Sequence, residues 1–263
     1  MVKLKPVVRQ MIKMKSRQDR KGLLETNYVY MIYLKDIEIY DNWSNASVSV
    51  SKDARCVEDL FLRLIKNKLV TNGVKKINIY IINDSRKHLE YSNTVTGFVD
   101  VNFFLEQQTY LDIDSANKKK EKILSILMSS LSIVAVGYKW NMDIIQDVYN
   151  KCLELEIKNE WWFKNKLIAS PSRTYYIGVR NEYDLSEFKS YFILFDKDKN
   201  ELQTQLIFKD SFNSFLICKL SWLDDEKFVY KFDGPKKEFI YSVEEFRNGQ
   251  IGELPEKIHL MFK

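Results

Sequence analysis

Residues 123–136, Ile-Leu-Ser-Ile-Leu-Met-Ser-Ser-Leu-Ser-Ile-Val-Ala-Val, place apolar side chains around nearly the whole circumference of a helix. A helix of that kind sits inside a core or in a bilayer. The run is fourteen residues long with four serines, short of the roughly 20 needed to cross a membrane. The block Lys118-Lys119-Lys120 precedes it. A buried core helix is therefore expected. Beyond Asn141, the residues Ile144, Ile145, Val148, Tyr149, Cys152 and Leu153 recur at helical spacing. With Gly137 at the joint, residues 113–157 are expected to form an antiparallel helical hairpin.

The segments on either side read mainly as strands. In residues 2–15, Val2, Leu4, Pro6, Val8, Ile12 and Met14 alternate with Lys3, Lys5, Arg9, Lys13 and Lys15, the pattern of a half-buried edge strand. Residues 28–34 form the next expected strand, with Ile37 and Ile39 continuing it after a break. Residues 53–70 carry Val57, Leu60, Phe61, Leu64, Ile65 and Leu69 at helical spacing. Ser51 or Asp53 is expected to cap that helix, and Asn72-Gly73 to stop it. Strands are expected at 77–82, 88–92 and 95–105. This order suggests α+β rather than repeated βαβ units.

After residue 158, short aromatic strands are expected near 174–180, 188–196, 202–209, 215–222, 227–233 and 237–242, separated by turn sequences. That spacing is what an antiparallel meander requires. Ser242 and Glu245 suggest a capping box on a short helix stopped by Gly249, and residues 258–262 a last strand. The expected fold is thus α+β: N-terminal mixed strands with one amphipathic helix (1–112), a central helical pair (113–157) and a C-terminal antiparallel meander (158–263).

Three cysteines without framework spacing suggest reduced thiols and a cytoplasmic setting. The basic start is followed by no 7–15-residue apolar stretch of the kind a secretory signal carries. The net charge of +5 is unevenly placed: residues 1–22 hold eight basic side chains and one acid, leaving 33 basic against 35 acidic for the rest.

Asp196-x-Asp198-x-Asn200 begins like a calcium loop, but Glu201 and Ile207 stand where glycine and a bidentate glutamate belong. A polar hairpin turn is expected instead. His88 and His259 are the only histidines. No Cys or His pair has zinc-ligand spacing, and no nucleophile motif or phosphate-binding glycine loop is present. Cys152 falls on the apolar face of its helix, as a structural thiol does. Glu156-x-Lys158 and Glu187-x-Lys189 match half of a metal-dependent nuclease centre, but Asp184 is too close in sequence to Glu187 to supply the missing acid. No cofactor, metal or catalytic residue is assigned. Of 36 aromatic residues, 21 fall in 160–263. If Trp161, Trp162 and Phe163 share a strand, Trp162 faces opposite its neighbours. Exposed Trp is enriched at interface hot spots.

Three functions follow. The favoured one is a non-catalytic protein-binding module, with Trp162, Lys13, Lys15 and Arg17 as contact candidates. In size and make-up the chain is similar to bacterial immunity proteins, small cytoplasmic α+β proteins that neutralise a cognate toxin by binding it. No motif carries that likeness, and it transfers no residue. Because inhibitors of cationic nucleases are often acidic, the net basic chain points to a non-nuclease toxin or an acidic toxin face. The second function is nucleic-acid or anionic-surface binding through residues 3–21, which is expected to weaken steeply with salt. The third is an enzyme whose acidic or tyrosine side chains meet only in three dimensions.

Overall fold

The computed structural model describes residues 31–41, 43, 49–93, 97–185, 187–210, 217–232 and 238–250. In chain order the first half contains β1 (Asp36–Asp41), α1 (Val50–Ile65), β2 (Lys76–Ile82), β3 (Glu90–Asn93), β4 (Phe98–Phe104), α2 (Gln107–Leu111), α3 (Ala116–Tyr138) and α4 (Met142–Glu154). The second contains β5 (Asn159–Trp162), β6 (Ile168–Ala169), β7 (Tyr175–Asp184), β8 (Glu187–Asp196), β9 (Glu201–Asp210), β10 (Ile217–Trp222), β11 (Lys227–Phe232), β12 (Glu238–Ser242) and α5 (Val243–Arg247). The class is α+β, as expected. The strands expected at 2–15 and 258–262 lie outside the described residues.

The first sheet has the order β1-β2-β4-β3. β1, β2 and β4 run parallel, and β3 is antiparallel to β4. α1 supplies the crossover between the parallel strands β1 and β2, so one βαβ unit is present. Ile37, Ile39, Ile77, Ile79, Ile81, Val99, Val101 and Phe103 are buried, and they share a core with α1, α3 and α4. Residues 31–34 do not form the expected strand: Tyr33 makes a single bridge to Val70. That contact also explains why α1 ends at Ile65 rather than near 70. Lys66 leaves helical geometry, Asn67 takes a φ of 60°, and Thr71 donates to the Ile32 carbonyl at 2.8 Å. Pairing with a distant segment outweighs the helical pattern of 66–70. At the other end, Ser49 caps α1 instead of Ser51 or Asp53.

α3 is 23 residues long, and Ile123, Leu124, Ile126, Leu127, Leu131, Val134 and Ala135 are fully buried. It is long and apolar enough to cross a membrane, the one such helix among the described residues. One face of it fills the first core, while Met128 and Ile133 are only partly buried and Val136 is 72% exposed. Gly137 is not the joint to α4. It lies within α3, where the Tyr91 side chain occupies the space a Cβ would need. The turn is made by Lys139 at φ 56°, with the Trp140 amide returning to the Ala135 carbonyl at 2.8 Å.

In the second half, β5-β7-β8-β9, with β6 also on β7, form a five-stranded antiparallel sheet, and β10-β11-β12 a three-stranded one. The meander is therefore split over two sheets. Their inner faces enclose a second core, in which Phe192 meets the rings of Phe228, Tyr230 and Phe246. α5 has the expected capping box and ends at Arg247, with Gly249 at φ 66° just past its C-cap Asn248.

Polar contacts join the two halves. The Asn159 amide donates to the Cys56 carbonyl at 2.8 Å and to Asp59 at 2.9 Å, while accepting from Arg63. Lys120, 7% exposed, pairs with Asp184 at 2.7 Å. Tyr183 packs against both cores.

Candidate functional site

β1 is an outer strand: β2 lies on one side, and no described strand pairs with the other. The Ile39 amide points outward, because it donates to Glu58 Oε1 at 2.6 Å. In a parallel pair, the main-chain groups of alternate residues point to opposite sides, so Ile37 and Asp41 also present theirs outward. A cavity of about 450 Å³ follows this edge. It is lined by residues 36–40 of β1, by one face of α1 from Ser51 to Leu62, and by Tyr183 of β7. Consecutive strand residues point to opposite faces of a sheet. A cavity touching five in a row therefore runs along the strand's edge.

Four carboxyl groups line this groove, from Asp36, Glu38, Glu58 and Asp59, against one guanidinium, Arg55. Three of the acids are partnered. Asp36 and Glu38 share Lys76 at 3.0 and 2.5 Å, Glu38 also accepts from the Tyr40 hydroxyl, and Asp59 accepts from Arg63 at 3.1 Å. Glu58 differs. It is 7% exposed, and burial pushes its carboxyl up to about 8 against the opposing effect of the Ile39 amide. Burial also pushes the Tyr183 hydroxyl up to about 12. A buried carboxyl thus stands where a neighbouring strand would pair, a recognised way of closing a sheet edge.

A second cavity, of about 600 Å³, lies at the carboxyl end of β2 beside Trp43, Asp84, Arg86 and Lys87. Ligands of α/β sheets commonly bind at such strand ends, and anions at the following helix N-terminus. Here Asp41 already accepts from the Ser51 amide and the Ser49 hydroxyl, each at 2.8 Å. Arg86 is likewise held by Asp84 at 2.9 Å. Internal anions serve both groups.

The other sequence candidates disperse. Trp162 and Trp161 do lie on opposite faces of β5, but Phe163 leaves the strand in a 3-10 turn. Trp161 packs inward against Phe188 beneath the Arg63 guanidinium, whose carbon is 4.5 Å from its ring centre. Trp162 is half-buried on the outer face, laid over Gly178 and next to Phe195. Lys13, Lys15 and Arg17 lie outside the described residues. Asp196 closes a hairpin turn by accepting from the amides of Asp198 and Asn200. His88 accepts from the Phe104 amide at 3.0 Å and packs on Phe103. Glu187 pairs with Lys189 and Lys209, and Asp184 pairs with Lys120. Burial pushes the Cys56 and Cys152 thiols up to about 12. Among the described residues, no three His, Cys, Asp or Glu side chains are placed to share a metal ion.

Sequence reasoning missed the groove. One signal was present: Glu58 interrupts the apolar stripe of α1, between Ala54, Val57 and Phe61. No family model matches the chain, and neither a curated protein nor a solved structure matches it.

Proposed function

We propose that this chain is a non-catalytic protein-binding module, most concretely an immunity-type inhibitor that acts in the cytoplasm by covering a toxin's working surface. The observation that carries the reading is the outer edge of β1, which no described strand pairs and along which a groove runs. An unpaired strand edge offers main-chain donors and acceptors to another protein, and side-chain pockets beside it supply selectivity. The half-buried Trp162 on the outer face of the five-stranded sheet adds a second contact candidate. The ionisable groups with displaced titration that line the groove also have structural roles. Glu58 holds the Ile39 amide, and Tyr183 packs both cores.

The test is a native-lysate pull-down of the tagged full chain at moderate salt after nuclease treatment, read by mass spectrometry. One stoichiometric protein partner whose activity falls when the chain is added is the expected result. The concentration of positive charge in residues 1–22 favours nucleic-acid binding as the second reading. Recovery of nucleic acid alone from an untreated lysate, lost on adding salt, would replace the first reading with the second.

A further inference from the structure

We propose that Asn72 is a self-modification site, where the Gly73 amide nitrogen closes onto the Asn72 carboxamide and the ring then opens to isoaspartate and aspartate. The chain has two Asn-Gly pairs, Asn72-Gly73 and Asn248-Gly249. Glycine favours this reaction in the residue before it, because no Cβ hinders the close approach of its nitrogen. The fold treats the two pairs differently.

Asn72 and Gly73 are the central residues of a tight turn. Both have positive φ, 48° and 107°, and the Val74 amide donates to the Thr71 carbonyl at 3.0 Å. Positive φ at both central positions marks type I′. The ends of the turn are anchored: Thr71 and Val74 are buried, and the Thr71 amide donates to the Ile32 carbonyl. The peptide between Asn72 and Gly73 is not. Among the described residues neither its N–H nor its carbonyl has a hydrogen-bond partner, and Asn72 is exposed. Open space also surrounds the Gly73 Cα. That peptide can therefore turn over while the ends stay fixed. The turn becomes type II′, and the ψ of Asn72 moves to about −120°. The Gly73 nitrogen then eclipses the Asn72 Cβ and faces the carboxamide carbon.

At the second pair the nitrogen is engaged. The Gly249 amide donates to the Phe246 carbonyl at 3.1 Å, and the Gln250 amide to the Glu245 carbonyl at 2.9 Å, closing the end of α5. Attack there requires the helix end to open first.

In the reaction, the bond from the Gly73 nitrogen to Asn72 Cγ forms as the amide proton leaves. The Cγ–Nδ2 bond breaks, and Nδ2 departs as ammonia. Water then opens the cyclic imide, at the main-chain carbonyl to give isoaspartate or at the side-chain carbonyl to give aspartate. No oxidant or reductant takes part. Isoaspartate adds a main-chain carbon to a turn whose Gly73 carbonyl lies against Gly97, 2.7 Å from where a Cβ would stand.

The test incubates the full chain near pH 8 in water enriched in oxygen-18, which marks every ring opened during the incubation. Peptides containing residues 72 and 248 are then followed by mass spectrometry. Asn72 is expected to convert roughly ten times faster than Asn248, whose neighbouring amide must first leave the helix end. Isoaspartate is expected to exceed aspartate. In urea, which removes both local structures, the difference is expected to close. S242A, which removes the capping box of α5, is expected to speed Asn248 alone. Equal rates in the folded chain, a faster Asn248, or conversion of Asn72 in urea only would overturn the proposal. So would aspartate formed without isoaspartate, or an S242A variant in which Asn72 accelerates as much as Asn248.

Discussion

Glu58 concentrates the molecule's clearest chemical tension in one side chain. Its carboxyl is buried and accepts one strong hydrogen bond, from the Ile39 amide. Burial raises it from 4.5 to about 8. The folded state therefore binds this proton more tightly than the unfolded chain. The resulting stabilisation is fully present below about pH 4.5 and is lost as pH rises through about 8. At about 1.4 kcal/mol per unit, the effect is a few kcal/mol. Urea unfolding of the wild type is expected to show stability falling over this window, while E58Q falls markedly less, keeping only the smaller contribution of the burial-raised Asp53. Parallel profiles for the two proteins would disprove the assignment. A charged residue inside an apolar stripe is visible in the sequence. Its displaced titration is not, because that depends on β1 closing over it. Cys56 and Cys152 belong to the same scale. With both thiols buried and pushed up to about 12, neither is expected to react with a disulfide reagent at pH 8 until the chain unfolds.

At the scale of elements, local signals were legible wherever local forces decide. α5 follows its capping box because Ser242 and Glu245 satisfy each other three residues apart. The strands from β7 to β12 fall close to the expected places, since alternation and turn residues act within a hairpin. α1 was read as a helix from its stripe, but its ends were not: Val70 is claimed by Tyr33, far away in sequence. β5 and β7 carry a prediction of this kind. A Cβ on Gly178 would come within 2.7 Å of both Leu167 and the Trp162 ring, so G178A must displace Trp162. The expected cost is about 1–3 kcal/mol, read as a lowered unfolding midpoint with a shift in tryptophan fluorescence. An unchanged midpoint and spectrum would show that Trp162 does not rest on β7.

For the whole molecule, the seam between the two cores decides how the chain unfolds. Asn159 ties β5 to α1 through the Cys56 carbonyl and Asp59, and Tyr183 belongs to both cores. Circular dichroism and tryptophan fluorescence are accordingly expected to report one common transition. N159A leaves the buried Cys56 carbonyl without this donor, at about 1–3 kcal/mol, and is expected to separate the two signals or lower both. Two transitions in the wild type would show that the halves fold independently. The sequence by itself determined most of the elements, that α3 is a core-packing helix and the strand-rich second half, but not that only one face of α3 is buried. Periodicity, capping and turn chemistry act over a few residues, and a distant partner overrides them at residues 66–70, where Tyr33 pairs with Val70. Only the tertiary structure decided that β1 lies at an edge of the first sheet and which acid is buried beside it. Both depend on the parallel pairing of β1 with β2 about forty residues away, and on α1 crossing back over that pair. No local pattern encodes the two together.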